Sequence, residues 1–213
     1  SAGSAAVTGN GLVSYTGITE PITDDLVASD RVFSYTGALE TIELKASALA
    51  GFDLQVDSNQ GMQIEFTNPT NSLEIKTTAG TGADTVNINS VPATYRSSIR
   101  ITENADDLFN LSTDLVLGSA SSDGDFAVTG PHTLRMFKSI YTPDTDATID
   151  LQADELWLYE DLTAGGSIGS PPRNARGIRI SPCRGPRCTR RVGIRHAPST
   201  CSITPSGWAR ARP

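Results

Sequence analysis

Apolar and polar residues alternate one by one along much of this chain, and a period of two leaves few folds open. Successive side chains of a β-strand point to opposite faces, whereas a helix needs apolar residues three and four apart. Phe52, Leu54 and Val56 alternate with Asp53, Gln55 and Asp57; Met62, Ile64 and Phe66 alternate with Gln63 and Glu65. The pattern returns at Ile42/Leu44, Leu73/Ile75, Val86/Ile88, Ile99/Ile101, Leu115/Leu117 and Ile149/Leu151. Clusters of Gly, Asn, Asp, Ser and Thr separate these runs and supply turn conformations. The runs recur about every ten residues, as in β-sandwiches, barrels and β-solenoids. Asp24 to Ser29 is the one short stretch that could be helical. The expectation is an all-β body. Its core would be Phe52, Leu54, Ile64, Phe66, Ile75, Val86, Ile88, Ile99, Ile101, Leu115, Leu117, Ile149 and Leu151.

Two near-repeats narrow the choice. Val13-Ser14-Tyr15-Thr16-Gly17 returns as Phe33-Ser34-Tyr35-Thr36-Gly37, and Ala83-Asp84-Thr85-Val86-Asn87-Ile88-Asn89 returns as Asp106-Asp107-Leu108-Phe109-Asn110-Leu111-Ser112. The intervals are 20 and 23 residues, each long enough for one coil of a stacked solenoid, whose coils bury their apolar faces only against one another. A parallel β-solenoid (β-helix) is therefore expected, with a β-sandwich as the alternative.

Composition divides the chain. Residues 1–169 carry all 24 acidic residues and seven of the 17 basic ones, a net charge of −17. Residues 170–213 hold the other ten basic residues, all Arg, together with all three Cys and seven of the 12 Pro. The first part reads as the acidic all-β repeat segment. The second has no apolar periodicity with which to build a core and reads as a disordered Arg/Pro/Cys-rich tail. So abrupt a change is what translation in a foreign frame at the end of a gene fragment would produce. Cys183, Cys188, His196 and Cys201 have the wrong spacing for a zinc knuckle. The body has no Cys, which removes disulfides and thiolate metal sites from it. Its charge repels phosphate backbones and anionic lipid, so no nucleic-acid partner is expected for it. No stretch approaches the roughly 18 apolar residues that span a membrane. The opening Ser1-Ala2-Gly3-Ser4 has neither Met nor an export signal, so the chain is expected to be part of a longer one.

The candidate chemistry is sparse. Gly80-Thr81-Gly82-Ala83-Asp84-Thr85-Val86-Asn87 is similar to one unit of the glycine-rich calcium repeat, in which Asp carboxylates and turn carbonyls ligate a hard cation. With the 23-residue interval as one coil, Asp84 would stack on Asp107, and these two are the candidate calcium ligands, with weak binding expected. The plainer alternative is a Gly-rich turn whose Asp bonds its own backbone. Carboxylate pairs abound: Asp24/Asp25, Asp106/Asp107, Asp123/Asp125, Asp144/Asp146 and Asp154/Glu155. Glycoside hydrolysis needs two carboxylates, yet most of these fall in turn-like or outward positions, and the body has a single His, His132. No catalytic residue and no cofactor are assigned. Trp157 and Tyr159 alternate with Leu156 and Leu158; an exposed aromatic pair could stack on a sugar ring, but burial under neighbouring structure on both faces is the favoured expectation.

Glu65 to Gly118 carries the phrases Phe66-Thr67-Asn68-Pro69-Thr70, Ser72-Leu73-Glu74-Ile75, Gly82-Ala83-Asp84-Thr85 and Asp114-Leu115-Val116-Leu117-Gly118-Ser119. Together with Ser14 to Asp25 and Ala147 to Leu156, this run resembles long repetitive extracellular, adhesin-like proteins of marine and planctomycete-type bacteria and their filamentous-haemagglutinin-style repeats. The resemblance is spread over many short phrases in residues 10–168. It implies a β-solenoid in a giant secreted or surface-anchored protein, a polysaccharide or other cell-surface ligand, an extracellular or cell-surface location, and no catalytic residues. The rival classes are a carbohydrate-active β-helix enzyme and a calcium-binding β-repeat module.

Overall fold

A computed structural model describes residues 2–7, 11–16, 21–119, 122–168, 179–180 and 190–193. Two antiparallel strands, β1 (Ala2–Val7) and β2 (Gly11–Thr16), are followed by β3 (Ile22–Asp24). A first coil holds β4 (Asp30–Ser34) and β5 (Thr41–Ala46), and the chain then leaves it for β6 (Leu54–Ser58) and β7 (Ile64–Phe66). The next coil holds β8 (Ser72–Lys76) and β9 (Thr85–Ile88). Two three-sided coils follow: β10 (Ser98–Thr102), β11 (Leu108–Leu111), β12 (Leu115–Val116); then β13 (Phe126–Thr129), β14 (Thr133–Met136), β15 (Ile140–Thr142). A third comprises β16 (Thr148–Gln152), β17 (Glu155–Leu158) and β18 (Leu162–Ala164), and β19 (Ser167–Ile168) begins another turn. Of the tail expected to be disordered, only β20 (Arg179–Ile180) and β21 (Arg190–Gly193) are described, as short antiparallel strands alongside β18. The zinc-knuckle residues lie outside the described residues.

The coils stack in parallel. Strands β4, β8, β10, β13, β16 and β19 run in parallel in the first sheet, β5, β9, β11, β14 and β17 in the second, and β12, β15 and β18 in the third; β1 and β2 extend the first sheet, β6, β7 and β3 the second, and β21 and β20 the third. Ser72 pairs with Ser98, Ile99 with Phe126 and Phe126 with Ile149, so successive coils are 26, 27 and 23 residues long on this side. The protein is a parallel β-solenoid, as the alternation and the 23-residue echo predict. Among the described residues there is no helix, so none is long and apolar enough to cross a membrane, and 24–29 is the last residue of β3 followed by irregular chain.

Stacking turns the alternation into columns. Leu73, Ile99, Phe126 and Ile149 form one inward column of the first sheet, and Ile75, Ile101, Val128 and Leu151 the other. Facing them from the second sheet are Ile42, Val86, Phe109, Leu134 and Leu156, and Leu44, Ile88, Leu111, Met136 and Leu158. β-Branched and leucine side chains suit such columns, because each packs on a like shape one strand spacing away. The first inward column ends at its N-terminal side in Arg31, which is buried. Its guanidinium pairs with Asp24, donates to the carbonyl of Leu26 and lies 5.2 Å from the centre of the Phe66 ring. Both Nη atoms are met in this way, while Nε is buried without a hydrogen-bond partner; the Nη pairings and the ring contact offset the cost of ending an apolar column in a charge.

Two sequence expectations need correction here. The 20-residue echo is not a coil: β2 pairs antiparallel with β1, and β1 antiparallel with β4, so β1 lies between residues 13–16 and the strand that begins the second phrase. Phe52 is only half-buried, because it lies in the turn before β6, where its amide donates to the carbonyl of Leu49; the alternation was counted past the strand end. The other twelve expected core residues are buried. Replacing Ile88 with Ala should therefore cost about 2–5 kcal/mol in denaturant unfolding, and Phe52 with Ala less than half as much as Ile88→Ala. Equal costs would contradict this placement of the two side chains.

Candidate functional site

Inward parity does not stop where the first-sheet strands stop. Leu73 and Ile75 are followed by Thr77, Ile99 and Ile101 by Glu103, and Phe126 and Val128 by Gly130. These residues open the corner that leads to the second sheet, and its strands are entered through Glu40, Asp84, Asp107, His132 and Asp154. The corner is thus a stack of polar residues under the same register as the core. Glu40, Thr77, Asp84, Glu103 and Asp107 are all buried.

The 23-residue interval does bring Asp84 and Asp107 together, and they contact through hydrogen bonds. The amide of Asp84 donates to Asp107 Oδ1 at 2.9 Å, and the amide of Glu40 donates to Asp84 Oδ1 at 2.7 Å. Each carboxylate therefore accepts from the backbone of its equivalent one coil earlier, and Asp84 does so in place of the bond to its own turn that the plainer reading expected. Asp107 Oδ2 also accepts from Thr77 Oγ1 at 2.6 Å and from the amide of Asn104 at 2.8 Å. The side-chain Nδ2 of Asn104 in turn donates to the carbonyls of Thr77 and Gly80. Glu40 is held by the hydroxyl of Ser58 and the amide of Gly37. Corner amides that lie beyond the strand ladder find acceptors in this way, which a buried backbone requires.

Close approach of backbone requires glycine at Gly80 and Gly130 of this corner. A Cβ on Gly80 would lie 2.5 Å from the carbonyl oxygen of Gly37, so the Gly80-Thr81-Gly82 run lets two turns touch. At Gly130, with φ of +99°, a Cβ would lie 1.9 Å from the carbonyl oxygen of Glu103.

Not every polar atom in the corner is met. Asp84 Oδ2 and both carboxylate oxygens of Glu103 are buried without a hydrogen-bond partner. Burial, with Asp107 and then Asp84 adding repulsion, pushes the Glu103 carboxyl up to about 9. Burial likewise raises Asp84. Sequence reading missed Glu103, Glu40 and Thr77; the signal was the unbroken parity Ile99, Ile101, Glu103, which an expectation of outward acids overrode.

The remaining acid pairs lie apart. Asp24 is at the N-terminal end with Arg31, Asp125 Oδ1 accepts the amide and hydroxyl of Thr148, and Asp106 is exposed beside buried Asp107. His132 is exposed and its Nδ1 lies 3.3 Å from Asp154. Among the described residues no three His, Cys, Asp or Glu side chains are grouped so as to hold a metal ion. A shallow groove over the later coils is bordered by Ala105, Gly130, Pro131, Gln152 and Asp154.

The aromatic expectation also changes. Leu156 and Leu158 are buried, whereas Tyr159 is exposed and Trp157 half-exposed, so the outer face of β17 is not covered. The Tyr159 ring stacks on Phe137 of the previous coil, with centres 5.0 Å apart and planes 15° apart. The pair is a coil-to-coil ladder in which each ring gives one face to the other. No protein-family model, no curated protein and no solved structure matches the chain.

Asp107 accepts three hydrogen bonds at this corner, so Asp107→Ala should destabilise the protein by about 2 kcal/mol or more. Asp106→Ala, one residue away and exposed, should stay within about 0.5 kcal/mol of the parent in the same denaturant titration. A reversal of that order would contradict the corner described here.

Proposed function

We propose that the chain is a non-catalytic structural and adhesive segment of a large secreted or cell-surface bacterial protein. The observation that carries this reading is the stacking of outward side chains, most of them polar, in the register of the coils. On the second sheet Glu43, Asn87, Asn110, Arg135 and Trp157 form one outward column, and Asn110 Nδ2 donates to Asn87 Oδ1 at 2.9 Å. On the first sheet Ser72 and Ser98 stand in register at the start of their strands, followed two residues on by Glu74 and Arg100. Such a surface offers rows of polar groups at a spacing near 4.8 Å, each able to make a weak hydrogen bond. Binding by many weak sites gains strength through multivalency.

The net charge of −17 over residues 1–169 disfavours anionic surfaces and points to a neutral polysaccharide as ligand. The likeness to adhesin-like repeat proteins agrees with that choice and with an extracellular location. The burial of Asp84, Glu103 and Asp107 favours this reading over the carbohydrate-active enzyme, since substrate would have to open the corner to reach them. The calcium-module reading would need a cation to displace the three donors already on Asp107.

Retention on a panel of immobilised neutral polysaccharides tests the proposal. A single copy should be held weakly, and two copies joined by a flexible linker at least about tenfold more tightly. Absence of retention of the joined copies on every polysaccharide, or release of shortened sugars, would overturn it.

A further inference from the structure

We infer that the corner between the first and second sheets is built around a bound proton: Glu103 is held there as a neutral carboxylic acid, and its ionisation unlatches the corner. This stands apart from the adhesive reading. Three carboxyl groups, Asp84, Glu103 and Asp107, share a water-poor space on adjacent coils. Charge in such a space must be balanced or removed. Asp107 is met by three donors and Asp84 by one, but Glu103 has none.

The groups around Glu103 leave a proton as the remaining source of balance. From the coil before come the hydroxyl of Thr77 and the carboxylate of Asp84, and from its own turn Asp107 and the exposed Asp106. From the coil after come Gly130, which packs on the Glu103 backbone, and His132, whose exposed imidazole lies against Asp154. The nearby cations are on outward strand positions: Lys76 pairs with Glu74, and Arg100 and Arg135 are exposed. The grouping does not suit a metal ion.

With its carboxyl pushed up to about 9, Glu103 is ionised at pH 7 in only about one molecule in a hundred. The unfolded chain releases the same proton near the ordinary value of 4.5. Between those two values the folded state binds more protons than the unfolded one, so this group makes stability fall as pH rises from about 4.5 to 9. Above that window the folded corner carries the charge itself and should open.

The test is thermal unfolding of the full chain between pH 5 and pH 10, for the parent and Glu103→Gln, each with EDTA or with millimolar calcium. The parent's melting temperature should fall as pH rises, and Glu103→Gln, which keeps the shape without the charge, should lose most of that fall. The infrared carbonyl stretch of a buried carboxylic acid should be present in the parent at pH 7 and gone at pH 10, a readout that stands even if the variant does not fold. An unchanged fall in Glu103→Gln, or absence of the acid band at pH 7, would overturn the inference. So would calcium removing the parent's pH dependence, which would place a metal ion where the proton is assigned.

Discussion

Everything in this fold depends on one geometric constraint, the in-register parallel stacking of coils. Each residue on a sheet lies roughly 4.8 Å from its counterpart on the next coil and has little freedom to choose another neighbour. Apolar columns follow at once, with Ile, Leu, Val and Phe repeating inward. The same constraint acts on outward residues: Asn87 meets Asn110, and Phe137 meets Tyr159. A solenoid amplifies whatever its coil places at a given position.

Amplification is dangerous for acids. Carboxylates repeated in a column repel one another and lose water together. The corner through Glu40, Asp84 and Asp107 meets that difficulty by giving each carboxylate backbone amides that the turn would otherwise leave unpaired. The acids and the turn thus solve each other's problem. Glu103 has the burial without the donors. It sits there because the parity of β10 runs one residue beyond the strand.

The fold was legible because alternation and a 23-residue echo are direct images of strand and coil. Thr85 to Ile88 and Leu108 to Leu111 pair residue for residue as the echo requires. The 20-residue echo failed because a repeated phrase fixes strand character but not which strand lies beside it: β2 and β4 run the same way, with β1 antiparallel between them. Within the corner, Asp84 above Asp107 was readable from the interval alone. The burial of the acids was not, since a preference for outward carboxylates outweighed the parity that put Glu103 inside. Trp157 and Tyr159 were misjudged because alternation says which side a ring takes, and only the structure shows whether anything covers it.

The register itself can be measured with pairs of nitroxide labels on outward positions, in a chain whose three tail cysteines are replaced by serine. Labels at Asn87→Cys and Asn110→Cys should lie one coil apart and broaden each other's resonance spectrum strongly. Labels at Asn87→Cys and Arg100→Cys, nearer in sequence but on different sheets, should be far less coupled. Strong coupling of the second pair and not the first is what an antiparallel sandwich with neighbouring consecutive strands would give, and it would contradict the stacked coil.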